Sequence, residues 1–330
     1  MASCWRRAGS ERNVALQKPS QYTLKMHDDE LPNPTTTATR RQFVIGSSIL
    51  LASGMTGTLF ADDEKASGES SVKIGIATDL HFADKAPAGS RHYRESSGKL
   101  AEAVAVFKEQ KVDFVVELGD IVDAAPTVEV EIGYLKKIDA VIKSAGVPVH
   151  YVLGNHCVAT LTKPEFFAVT GARESYYSFD VGGVHFVVLD ACFNKDMEPY
   201  GRNNFAWTDA NIPQQEQDWL KTDLAEMKLP VVVFAHQRLD LDPTESYAVK
   251  QSPSVRGILE SAGNVRAVLQ GHSHENELNK INGIPYCTLA AMVEGSGEAN
   301  SAYGVLEVSS RGMVRLTGFR KQENRDFVEK

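Results

Sequence analysis

Cysteine is scarce: the 330 residues hold four, and only Cys157, Cys192 and Cys287 lie beyond residue 61. An odd count excludes a complete disulfide framework. Cys192 and Cys287 sit in apolar runs and read as small buried hydrophobes. Positive charge is short as well. The formal net charge is −8, and the first 61 residues carry seven Lys or Arg against four Asp or Glu, leaving −11 for the rest. So acidic a body excludes a broad nucleic-acid or anionic-membrane surface. An anionic substrate would have to be drawn by bound metals rather than by a basic patch. After residue 72 there is no internal repeat, no interdomain linker and no helical run of coiled-coil length. Length and a 42% hydrophobic content suit one large α/β domain, with or without an appendage.

Long hydrophobic runs are missing too. The best candidate, residues 43–61, is interrupted by Gly46, Gly54 and Gly57 and is short and only mildly hydrophobic for a membrane span. It follows Thr39-Arg40-Arg41-Gln42-Phe43-Val44, which resembles a bacterial twin-arginine export signal, and precedes Asp62-Asp63-Glu64. The expectation is export through the twin-arginine machinery to the periplasm or beyond, cleavage near Ala61, and no stable membrane anchor. Met26 is an alternative start. Residues 1–71 are thus set apart from a folded body at 72–320 and a tail at 321–330.

Within that body the apolar spacing predicts strands at 72–78, 112–118 and 149–153, separated by helices at 94–110 and 128–145. Such βαβαβ alternation implies parallel strands covered by helices. A hairpin is predicted over 175–181 and 184–190 around Gly182-Gly183. An irregular stretch at 192–212 precedes a helix opened by Pro213. A strand at 231–235, a short helix at 255–261 and a strand at 265–270 follow, and the remainder reads as β structure at 277–281, 285–290, 303–308 and 313–320. The predicted fold is an α/β four-layer α/β/β/α sandwich of two mixed sheets.

Five short polar clusters fall where these strands end: Asp79-Leu80-His81, Gly119-Asp120-Ile121-Val122-Asp123, Gly154-Asn155-His156, Ala235-His236 and Gly271-His272-Ser273-His274. Open α/β sheets bind ligands at that edge. Asp, Asn and His together are ligands a pair of borderline divalent cations accepts. A carboxylate such as Asp120 can bridge two ions, and glycine beside it lets the backbone approach closely. Asp123 reads as a cap or as a partner to a ligand. Taken singly, Asp79 could cap a turn and any one histidine could be a core residue. Five clusters in order outweigh those readings. His150 and His185 stand inside strands and read as structural.

The chain resembles the calcineurin-like metallophosphoesterases over about residues 72–320, and is most similar to the manganese-dependent ADP-ribose/CDP-alcohol diphosphatase group. That closer likeness rests on Arg91-His92-Tyr93-Arg94, the 119–123 run and His272-Ser273-His274-Glu275, with Asn282-Gly283-Ile284, Leu289 and Glu294 adding to it. The resemblance implies two divalent ions, Mn, Fe or Zn. Asp79, His81 and His274 with Asp120 would hold one; Asp120, Asn155, His236 and His272 the other. It implies hydrolysis of phosphodiester or diphosphate bonds by a hydroxide bridging the ions, with His156 as the catalytic contact to the phosphoryl group. The substrate would be a small phosphoester or a nucleotide diphosphate. A phosphomonoesterase, a cyclic-nucleotide phosphodiesterase and a catalytically silent metal-binding protein are the alternatives. Arg91, Tyr93 and Arg238 are candidate substrate contacts, and Tyr200 or Trp207 could stack on a base. One departure is Cys157, which follows His156 where the family usually has an acid; if that acid helps orient the histidine, Cys157 weakens the orientation or leaves it to another group.

Overall fold

Val72, Ile74 and Ile76 alternate along the first strand with Lys73 and Gly75, and this period of two decides which face enters the core. A computed structural model describes residues 70–327. The expected export signal, its apolar part at 43–61 and Met26 lie outside the described residues. Among the described residues no helix is long and apolar enough to cross a membrane.

The first half runs β1 (Ser71–Ala77), α1 (Ser96–Gln110), β2 (Phe114–Glu117), α2 (Val128–Lys143), β3 (Val149–Tyr151) and α3 (Lys163–Thr170). A hairpin of β4 (Tyr177–Val181) and β5 (Val184–Val188) then leads to α4 (Gln214–Leu224), β6 (Val231–Phe234), α5 (Ser252–Ala262) and β7 (Val265–Gln270). The chain ends in β8 (Glu277–Ile281), β9 (Ile284–Thr288), β10 (Ala302–Ser309), β11 (Val314–Arg320) and β12 (Arg325–Asp326).

These strands build two six-stranded sheets, ordered β12-β11-β10-β1-β2-β3 and β4-β5-β6-β7-β9-β8. In the first, β1, β2 and β3 are parallel and β10 lies antiparallel to β1. In the second, β5, β6, β7 and β9 are parallel, with antiparallel edges at β4 and β8. Ile74, Ile76, Phe114 and Leu306 of one sheet meet Phe186, Val232, Phe234 and Leu269 of the other in a buried layer. The outer face of the first sheet packs on Leu100, Phe107, Leu135 and Ile138 of α1 and α2. The outer face of the second packs on Leu220, Leu224, Val255 and Leu259 of α4 and α5. The result is the four-layer sandwich expected. Each fully buried aliphatic or aromatic side chain here contributes about 1.5–3 kcal/mol.

Three departures from the sequence reading have physical causes. Helix α3 was not expected; at eight residues it is too short to display a period, and a Thr162–Glu165 capping box with a proline in its first turn starts it. Helix α1 opens at Ser96 rather than residue 94, because Tyr93–Glu95 forms a tighter turn. The 72–320 boundary is corrected at both ends: Ser71 pairs with Ser309, and Arg325 and Asp326 extend the first sheet beyond β11.

His150 and His185 do prove to be strand residues. His150 stacks on Phe179 at 3.9 Å, and burial pulls its pKa down to about 4. His185 is buried between Asp180 (2.6 Å from Nδ1) and Asp223 (2.9 Å from Nε2), joining hairpin to α4. Burial opposes its charged form, but the two carboxylates win and raise its pKa. A group raised on folding stabilises below its unfolded pKa of about 6.5 and loses that contribution as pH climbs through the folded value. The stability gap between wild type and His185→Asn in urea melts should therefore be widest below about pH 6.5 and shrink as pH rises through the raised folded value. A gap that grows with pH would contradict this ion-pair account.

Candidate metal centre

All five clusters leave the C-terminal ends of parallel strands. Asp79 and His81 follow β1, Asp120 follows β2, Asn155 and His156 follow β3, His236 follows β6, and His272 and His274 follow β7. Backbone bonds lay these loops side by side: Asp79 N to Gly119 O (2.9 Å), His81 N to Asp120 O (2.7 Å) and Gly271 N to His236 O (3.0 Å). Asp79, His81, Asp120, His272 and His274 all have left-handed φ, between 43° and 71°. Each such residue costs roughly 1–3 kcal/mol, and such outliers gather at functional sites. Two glycines make the convergence possible. A Cβ on Gly154 would overlap the Asp120 carboxylate, and one on Gly119 would overlap the His236 ring.

Each carboxylate has one oxygen anchored and one aimed inward. Asp79 Oδ2 accepts from Thr78 Oγ1 (2.7 Å) and His272 N (3.1 Å), and its buried Oδ1 has no hydrogen-bond partner. Asp120 Oδ1 accepts from His156 N (2.7 Å), while Oδ2 lies 3.2 Å from His236 Nε2 and 3.6 Å from His81 Nε2. The imidazoles are set likewise. His236 Nδ1 donates to Leu118 O (2.9 Å) and His274 Nδ1 faces Glu294 Oε1 (2.6 Å), so their Nε2 atoms turn inward.

Three donor groups result, Asp79 with His81 and His274, Asp120 with His236 and His272, and His81 with Asp123 and His156, each with its donor atoms within 4.8 Å of one another. The Asn155 oxygen and the His272 Nε2 are buried without hydrogen-bond partners, and the buried His236 Nε2 has the Asp120 carboxylate beside it. His81 Nε2 and His274 Nε2 approach to 3.2 Å, a contact that either one proton or a shared cation would satisfy. Leaving such groups unpaired costs about 1–3 kcal/mol each. The donor set fits two divalent cations, with Asp120 between them. Burial opposes charge here, yet His236 and His274 hold Asp79 well below the ordinary carboxylate range. Burial, helped by Asp120 and Asp79 and opposed by His236, pushes the Glu117 carboxyl well up.

An open cleft of about 210 Å³ exposes His81, Asp120, Asn155, His156, His272 and His274. The His156 Nδ1 touches Asp123 Oδ1, so Asp123 supplies the orientation that Cys157 cannot. Burial lowers the pKa of His156, but Asp120 and Asp123 more than offset it. Cys157 is fully buried, with its thiol pushed well up by burial. Of the candidate substrate contacts, Arg91 lines the cleft and lies 3.9 Å from Glu294.

Two candidates are corrected. Tyr93 is buried with Ala83, Ala291 and Val293, under the Lys85 ammonium. Arg238 is buried and held by Asp240, Glu277 and Ser273 Oγ. Neither lines the cleft. Tyr200 is buried with its hydroxyl on Asp209 O, whereas Trp207 is exposed at the cleft. Beside Trp207, at 5.2 Å, stands Tyr247, which sequence reasoning missed because no motif surrounds it.

A four-layer α/β sandwich with such a donor cluster at its strand ends is that of a metal-dependent phosphoester hydrolase. Residues 72–276 match the calcineurin-like phosphoesterases, and the chain belongs to that family. The manganese-dependent ADP-ribose/CDP-alcohol diphosphatase of Arabidopsis thaliana is 21% identical over 307 residues, 77% of this chain and 96% of that protein. The mouse serine/threonine-protein phosphatase CPPED1 is 29% identical over 181 residues, covering 50% of this chain and 54% of that one. A dimetal phosphatase from Danio rerio has the same fold, with a TM-score of 0.69 at 19% identity, over 78% of this chain and 98% of that one.

Because Gly154 lies against the Asp120 carboxylate, Gly154→Ala should displace it and weaken divalent-cation binding about 10–100-fold, as losing an orienting contact does. Calorimetric titration with Mn²⁺ measures this. Unchanged affinity in the variant would refute the crowding described.

Proposed function

We propose that the chain hydrolyses phosphodiester or diphosphate bonds of small molecules at a two-metal centre held by Asp79, His81, Asp120, Asn155, His236, His272 and His274. The observation carrying this reading is the convergence of these side chains from five separate loops into two adjacent donor clusters. Mn, Fe or Zn would suit them, and the name of the Arabidopsis relative favours Mn. Bound there, divalent cations would polarise the phosphoryl group and make water a competent nucleophile at neutral pH.

The chain's own residues do the rest. His156, steered by Asp123, presents its free ring nitrogen to the cleft and donates a proton to the departing oxygen. Arg91 pairs with an outlying phosphate oxygen. Trp207 and Tyr247, which also line the cleft, offer aromatic faces to a planar base. That pairing of cation and aromatic wall favours a nucleotide diphosphate of the ADP-ribose or CDP-alcohol type. The mouse relative's name favours a phosphomonoester instead.

A panel of ADP-ribose, CDP-glycerol, cyclic AMP and a simple phosphomonoester, run with elemental analysis of the purified protein, distinguishes these readings. Asp120→Asn should remove nearly all hydrolysis. His156→Ala should lower turnover by about 10²–10⁴-fold with metal content intact. Loss of the metals from His156→Ala would show the division of roles to be wrong.

We further propose export through the twin-arginine route, on the strength of Arg40-Arg41 and the mild apolar stretch after it. Arg40→Lys with Arg41→Lys should leave the precursor in the cytoplasm on fractionation. Continued export of that variant would discard the signal.

A further inference from the structure

Lys99 stands on α1 outside every motif, yet only 1% of it is exposed. Its Nζ donates to three backbone carbonyls, Met292 O (2.9 Å), Glu294 O (2.9 Å) and Gly295 O (2.7 Å). An ammonium has three N–H donors, and all three are used. The three acceptors belong to one loop between β9 and β10.

That loop is built into the centre. Met292 N donates to Thr78 O (3.1 Å), Val293 N to Asp79 O (3.1 Å) and Gly295 N to Ser90 O (2.7 Å). One turn before Lys99, in the tighter turn that leads into α1, Glu95 accepts from Ser296 Oγ (3.1 Å) and Gly297 N (2.6 Å). From the middle of the loop the Glu294 side chain meets His274 Nδ1 at 2.6 Å and Arg91 at 3.9 Å.

We infer that Lys99 is a positioning residue for the metal centre: its ammonium acts as a tethered monovalent cation that gathers the loop carbonyls and so aims Glu294 at His274. Without Lys99, three buried carbonyls would lose their donors together. The loop would then open to find water, carrying Glu294 away from the His274 ring. Arginine cannot replace Lys99, because a planar fork does not fit three oxygens disposed around a point. The inference rests on His274 being a metal ligand.

The test titrates Mn²⁺ into wild type and Lys99→Ala by calorimetry, without substrate, and repeats the titration with propylammonium present. The variant should bind Mn²⁺ about 10–100-fold more weakly, the usual effect of losing a partner that orients a ligand. Propylammonium should recover part of that loss, and tetramethylammonium, which has no N–H donor, should recover none. Unchanged affinity in a folded Lys99→Ala overturns the inference, as does a loss that propylammonium leaves untouched. Should Lys99→Ala not fold, Glu294→Gln carries the test, because Lys99 acts through Glu294: weaker Mn²⁺ binding supports it and wild-type binding overturns it. Wild-type protein that binds no Mn²⁺ is a different result and would sink the metal-centre reading itself.

Discussion

Two carboxylates, Asp79 and Asp120, are fully buried within a ring of imidazoles, and the inward nitrogens of His236 and His272 lack hydrogen-bond partners. This concentration of unpaired donors is the constraint on which the surrounding structure depends. Left to itself it would be relieved by loop opening or by protons. The ordinary value of a buried histidine is lowered by desolvation, yet His236 and His274 rise to about 9 because the carboxylates demand positive charge. Divalent cations meet that demand better than protons do. The left-handed backbone at five of the seven positions is a cost of bringing the donors together, and it is borne by the sheets beneath.

The supporting residues make sense in that light. One oxygen of each carboxylate is pinned by neighbouring groups, which leaves the other with a fixed direction. Leu118 O and Glu294 each occupy the outer nitrogen of a histidine and so settle which nitrogen faces inward. Asp123 does the same for His156, and a lysine at its other oxygen, Lys85, holds it in turn. The centre is thus a set of side chains with their free rotation removed, which is the preorganisation that binding and catalysis both draw upon.

Much of this is legible in the sequence, and for a definable reason. Residue type and position at a strand end together determine both chemistry and location, so the order of residues alone groups the donors. The layers are legible because the apolar period changes between strand and helix. Direction is not legible. Tyr93 and Arg238 adjoin motifs, yet one turns into a small apolar cluster and the other into a buried ion-pair set. Lys99 has the appearance of an ordinary helical surface lysine until the loop that covers it is in place. Tyr247 reaches the cleft through tertiary packing alone, and the two-residue β12 is too short to carry any pattern.

The placement of β1 has a bearing on biogenesis. It lies between β2 and β10, and Ala302 is the first residue of β10. At a synthesis rate of about 5–20 residues per second, the ribosome needs roughly ten to fifty seconds to travel from one partner's codons to the other's. Throughout that interval a strand rich in valine and isoleucine offers one unsatisfied side to any passing polypeptide. The nascent chain is therefore most in need of a chaperone before the codons of β10, which begins at Ala302, have been translated.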